Sequence, residues 1–179
     1  IQIRGHRVRL PLDIMLVASA NPDDYTNRGR IITPLKDRFG SQIRTHYPLE
    51  VDLEYSIMQQ EATTTSVGGV TVEVPDYLGL VVAEFSHLAR ASSHVNQRSG
   101  VSVRLSVANY ESLAANALRR GLRAGENPVV ARVDDLDALA ASSIGKIEIE
   151  SMDDGREGQI FDNLIKGAVH QVFTNRHDG

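Results

Sequence analysis

From Ser102 to Arg123 the sequence SVRLSVANYESLAANALRRGLR puts Val103, Val107, Tyr110, Ala114, Ala117 and Leu118 at steps of three and four residues. A strand alternates every second residue, so this spacing predicts one long amphipathic helix with a single apolar face. Ser102 supplies a hydroxyl that can accept the orphan N–H groups of the first turn, and Gly125-Glu126-Asn127-Pro128 stops the helix. A helix of that length must bury its face against other elements, so the chain needs a helical bundle around it.

The flanking sequence supplies the partners. Pro75 and Asp76 open an earlier helix with a wide apolar stripe through Leu78, Val81, Val82, Phe85, Leu88 and Ala89. DDLDALAASSI makes a short third helix, KIEIE a brief strand, and residues 157–176 a last amphipathic helix through Ile160, Leu164, Val169 and Val172. Asp134 and Asp135 fit as the cap and first turn of the third helix rather than as magnesium-binding acids.

The first third reads differently. IQIRGHRVRLPL alternates apolar and basic residues around Gly5, as a hairpin or two short strands. Ile14 to Ala20 is a continuous apolar run bounded by Asp13 and Asn21-Pro22, the pattern of a strand covered on both faces of a parallel sheet. Thr33, Pro34 and Gly40 bound a short helix, SQIRTHY suggests a strand over 41–47, and Leu53, Ile57 and Met58 mark a helix from Asp52. The expected order is β–α–β–α, half of a doubly wound sheet. TTTSVGGVTVEVP then reads as a connector, which places a boundary between an α/β part, residues 1–63, and a helical part, residues 64–179. The fold expected is an α/β fragment with a hairpin followed by a helical bundle, mostly α overall.

Composition narrows the function. Of the 179 residues 41% are hydrophobic and 23% charged, as in a globular protein. No apolar run approaches the ~20 residues that cross a bilayer. Cysteine is absent, which removes disulfides, thiolate metal sites and a cysteine nucleophile and fits a cytoplasmic setting. A net charge of −4, 5% aromatic residues and no tryptophan argue against a nucleic-acid surface. The six histidines show no pair at metal-ligand spacing, since His87 and His94 stand two helical turns apart. Gly145-Lys146 lacks the rest of a phosphate loop, and Glu148, Glu150, Asp153 and Asp154 lack the spacing of a calcium loop. No metal ligands are assigned.

Three polar residues stand out. Asn21 ends the apolar run, where open parallel sheets bind ligands; its amide can hold a water or a phosphate oxygen, or simply form an Asx-turn before proline. Arg38, beside Gly40, can extend a planar fork that matches phosphate, or pair with Asp37. Arg104 lies in the first turn of the long helix, where the dipole favours anions, so a cation there hints at a ligand or an acidic partner.

The order of these pieces resembles one family. A basic hairpin, LPLDIMLVASANP, TPLKDRFG with its DRFG about 17 residues after SANP, then a bundle containing SVRLSVANYESLAANALRRG together look like the C-terminal portion of an AAA+ ATPase. The class is that of the magnesium chelatase ATPase subunit and its MoxR-type relatives. The resemblance implies that Asn21 is the sensor-1 amide, Arg38 an arginine finger reaching the γ-phosphate in a neighbouring subunit, and Arg104 a sensor-2 arginine in the lid. Arg28 and Arg30 would be further contacts in trans, or solvated loop residues. It also implies a homo-oligomeric ring, a hexamer in such ATPases, with ATP and Mg2+ as cofactors and a protein client or co-subunit. The sequence has no G-x-x-x-x-G-K-[ST]. The expectation is therefore a fragment that starts after the phosphate loop, binds no cofactor by itself and is inactive alone. A MoxR-type chaperone or a transcription-activator ATPase shares the motifs. A module without catalysis, serving oligomerisation or partner binding, is the alternative of another kind.

Overall fold

A computed structural model describes residues 2–3, 6–7, 13–19, 37–63, 66–96, 100–149 and 156–177. The chain divides into two compact units, Ile1–Thr45 and His46–Gly179.

In the first unit, β1 (Gln2–Ile3) pairs antiparallel with β2 (His6–Arg7), Gln2 opposite Arg7 and Ile3 opposite His6. This is the expected hairpin. The expected strand at 14–20 is not formed over its described part: residues 13–19 join no ladder, and Met15 is 90% exposed. Residues 41–47 likewise form no strand and are exposed. The half-sheet predicted for this region is thus absent among the described residues. The reason is that a strand, unlike a helix, cannot satisfy its own N–H and C=O groups; both runs have apolar character but no neighbour bonded to them here. Most of the short helix expected between Thr33 and Gly40 lies outside the described residues, which resume in a turn at Asp37-Arg38.

The second unit is predominantly helical. Its elements are α1 (Val51–Glu61), β3 (Val72–Glu73), α2 (Asp76–Ala91), α3 (Val103–Ala124), β4 (Val129–Val130), a 3-10 turn (Val133–Asp137), α4 (Ala138–Ser143) and α5 (Glu157–His177). Pro75 presets φ at −58° ahead of α2, Asp76 sits at the positive end of the dipole and Arg90 at the negative end. Ser102 Oγ accepts the N–H of Arg104 at 3.2 Å to cap α3, and Gly125 ends it at φ 71°, a left-handed geometry cheap only for glycine.

The core forms where these helices meet. Leu78, Val81, Val82, Phe85 and Ala89 of α2 are buried, as the stripe predicts, whereas Leu88 is half-buried. On α3, Tyr110, Ala114, Ala117 and Leu118 are buried, but Val103 and Val107 are only half so, while Leu105, Ser106, Asn109 and Leu113 are buried too. The buried arc is wider than one stripe because α1, α2, α4, β3, β4 and the 3-10 turn all pack on this helix. Phe85 of α2 stacks on Phe161 of α5, ring centroids 6.5 Å apart. Each such fully buried side chain contributes ~1.5–3 kcal/mol by leaving water.

The connector holds more order than its composition suggests. Val72 and Glu73 pair in parallel with Val129 and Val130, with α2 and α3 forming the crossover. Gly121 lets α3 approach this small sheet, since a Cβ there would collide with Val129. Asp134 and Asp135 lie in the first turn of the 3-10 turn, as expected of one of them, but the cap position is Arg132 rather than Asp134; its N–H donates to Asp135 at 2.9 Å. Helix α1 packs on α2 and α3 with Glu54, Tyr55 and Met58 buried. It therefore belongs to the helical unit, and the division at Thr45/His46 falls earlier in the chain than the connector.

Candidate functional site

The inward face of α1 runs Val51, Glu54, Tyr55, Met58, so helical phase carries one carboxylate into the core. Glu54 is 0% exposed. A charge so placed persists only if it is paired and hydrogen-bonded. Arg90 of α2 supplies the pairing, donating from Nη1 to Oε2 at 2.6 Å and from Nη2 to Oε1 at 2.7 Å. Ser106 of α3 donates its hydroxyl to Oε1 and lies 2.8 Å from the Ser86 hydroxyl. His87 brings Nε2 to 2.9 Å from Oε2, near enough for an ion contact although its N–H is not aligned as a hydrogen bond. Three helices thus converge on one carboxylate.

The guanidinium reaches further. Arg90 Nε donates to the carbonyl of Val101 at 3.0 Å, and its plane lies over the Tyr47 ring, 4.7 Å from the centroid. This bidentate, stacked geometry requires arginine; lysine has neither the fork nor the face. Chemically the centre is a clamp. Each oxygen of Glu54 already faces two polar partners, which leaves little capacity for proton transfer to a substrate.

Around it, burial moves several groups. Burial pushes the Glu84 carboxyl up, and the nearby His87 charge pulls partly the other way. Burial also pushes the Tyr55 phenol upward, aided by its hydrogen bond to Asp76 Oδ1 at 2.9 Å. The phenol of Tyr110 moves up for the same reason, burial first and the Asp76 charge second.

A second polar centre closes the far end of α3. Arg120 donates to Asp135 at 3.2 and 3.0 Å, to Glu126 at 2.8 Å and to the Val130 carbonyl at 2.7 Å. The hydrogen bonds to Asp135 raise its pKa above the ordinary arginine value. Asp135 is consumed by this network and by the Arg132 N–H, so this acid serves the fold. Among the described residues no group of three or more His, Asp or Glu converges as a metal site.

Of the residues singled out from sequence, Asn21 lies outside the described residues, as do Arg28 and Arg30. Arg38 stands exposed in the turn at 37–38 of the first unit. Arg104 is exposed in the first turn of α3 in the second unit, two residues past the cap. Neither unit by itself assembles Arg38 with Arg104. Sequence reading passed over Glu54 and Arg90 altogether and considered His87 only as a metal ligand. The signal was available: a glutamate at an apolar phase of α1, and an arginine on α2 four residues after the buried Ser86.

No protein-family model matches the chain, and neither curated proteins nor solved structures yield a match. What the geometry defines is a mostly helical unit with a two-stranded parallel sheet, organised about a buried Glu–Arg pair. No helix among the described residues is long and apolar enough to cross a membrane.

Proposed function

We propose that these residues are part of an AAA+ ATPase of the magnesium chelatase ATPase subunit and MoxR-type class, which hydrolyses ATP in an oligomeric ring to remodel a protein partner. The observation that carries the reading is the order of chemistry along the chain. An amide after an apolar run, Asn21, precedes an arginine beside a glycine, Arg38, and then Arg104 at the capped start of the longest helix. In this mechanism Asn21 orients the attacking water or the γ-phosphate. Arg38 neutralises charge developing on the γ-phosphate of a neighbouring subunit, a contribution of ~10³–10⁵ in rate for such fingers. Arg104 meets the phosphates at the positive end of α3 and ties lid position to nucleotide state. The reading requires residues beyond these 179 to cradle the phosphates and hold Mg2+, since the sequence contains no phosphate loop.

The test compares ATPase rates of the parent protein with those of its Arg38→Ala and Asn21→Ala variants. A fall of about a thousandfold or more for Arg38→Ala is expected. Full activity in both variants refutes the assignment. Mixing Arg38→Ala subunits with subunits lacking the phosphate-loop lysine should restore activity if the finger acts in trans. A parent without a phosphate loop would leave the reading of a partner-binding module without catalysis.

A further inference from the structure

Arg90 does more than neutralise Glu54. Its two terminal nitrogens hold the carboxylate, its Nε holds the Val101 carbonyl, and its face covers Tyr47. Tyr47 is the second residue of the helical unit, where the chain enters it. Its hydroxyl lies against Gly100, at φ +67°, so closely that a Cβ at that position would collide with it. Val101 and Gly100 lead directly into Ser102, the cap of α3, whose hydroxyl receives the N–H of Arg104. One guanidinium, itself fastened to a fully buried carboxylate, therefore touches both the entry segment and the backbone that launches α3.

We propose that Arg90 is a positioning residue: through Tyr47 and the Val101 carbonyl it registers the start of α3, and with it Arg104, to the segment by which the chain enters the helical unit. A shift of that segment displaces the Tyr47 ring, and the ring shares its guanidinium with the strand of backbone before the cap. The carboxylate of Glu54 keeps Arg90 from following the ring freely, because leaving it would expose a buried charge without its partner. Helix α5 lies off this path: it packs on the side of α2 that carries Phe85 and Leu88. The contact itself is a matter of this chain's geometry; only the consequence for phosphate binding rests on the proposed ATPase role of Arg104.

The experiment has two arms. In the 179-residue chain, native-state hydrogen exchange is compared for Tyr47→Leu, which removes the ring face and hydroxyl but keeps apolar bulk, and for Arg90→Lys, which keeps the charge but loses the fork. Exchange at the Arg104 and Leu105 amides, both bonded to Ser102, should accelerate about tenfold in each variant while α5 amides stay as they were. No acceleration at these amides, or an equal acceleration throughout the unit, overturns the proposal. In the parent ATPase, Tyr47→Leu and Arg104→Ala are combined in a double-mutant cycle read as KM for ATP. The double variant should be no worse than Arg104→Ala, and strictly additive effects overturn the coupling. If Arg104→Ala leaves ATP kinetics untouched, the ATPase role of Arg104 fails, while the exchange arm still decides the positioning role.

Discussion

Replacing Arg90 by methionine keeps an unbranched apolar stem and removes every donor it offers to Glu54. The carboxylate then stays at 0% exposure with only the Ser106 hydroxyl and the misaligned His87 nitrogen beside it. Breaking one side of a buried ion pair costs ~3–5 kcal/mol, because the remaining charge is desolvated and unmatched. Loss of the Val101 hydrogen bond adds ~1 kcal/mol. For a unit of this size each kcal/mol lowers the melting temperature by ~3–5 °C, so Arg90→Met should melt ~12–30 °C below the unsubstituted chain. Calorimetry or far-UV circular dichroism on the 179-residue chain reads this directly. The control is the double variant Glu54→Met/Arg90→Met, in which both charges leave together. Apolar replacement of a whole buried pair is often neutral, so the double variant should recover more than half of the loss. A loss below ~1 kcal/mol for Arg90→Met, or a double variant as unstable as the sum of both single ones, would refute the view of this centre as a desolvated, mutually dependent pair.

Other expectations follow from the same packing. Gly79→Ala would normally strengthen a helix interior by up to ~1 kcal/mol, yet its Cβ would strike the Tyr55 ring, so α1 must shift and the melting temperature should fall; a rise would show that the two helices separate at little cost. Ser102→Ala removes the α3 cap and should cost ~1 kcal/mol, read as a lower midpoint in urea at an unchanged slope. Burial raises the folded-state pKa of Glu84, so the folded state holds its proton more tightly than the unfolded one. Stability from this group is present below the ordinary glutamate pKa of 4.5 and is lost as pH rises through the raised value. Glu84→Gln should therefore stabilise the chain at neutral pH and lose that advantage near pH 4; a variant equally stable or less stable at neutral pH refutes the sign.

The helices were legible in the sequence because their causes are local. Pro75-Asp76, Ser102 and Gly125 act within a turn of themselves, and the repeats of three and four name five of the buried residues of α2 and, on α3, Tyr110, Ala114, Ala117 and Leu118. The hairpin of β1 and β2 was legible for the same reason. Strand order was not. Ile14 to Ala20 read as a covered strand, yet Ile14, Met15, Leu16 and Val17 are exposed, whereas Val72-Glu73 in a supposed connector found a partner more than fifty residues away at Val129-Val130. Apolar character shows that a run can be buried; only the tertiary fold decides what pairs with it. The same limit applied to the polar centre. Sequence alone put Glu54 on one helix and Arg90 on another, each an ordinary surface residue by type. Packing α1, α2 and α3 together placed them 2.6 Å apart with the carboxylate out of water, and drew Tyr47 and Val101 onto the same guanidinium. Helix phase is set within a few residues, but the pairing of charges across helices belongs to the three-dimensional arrangement.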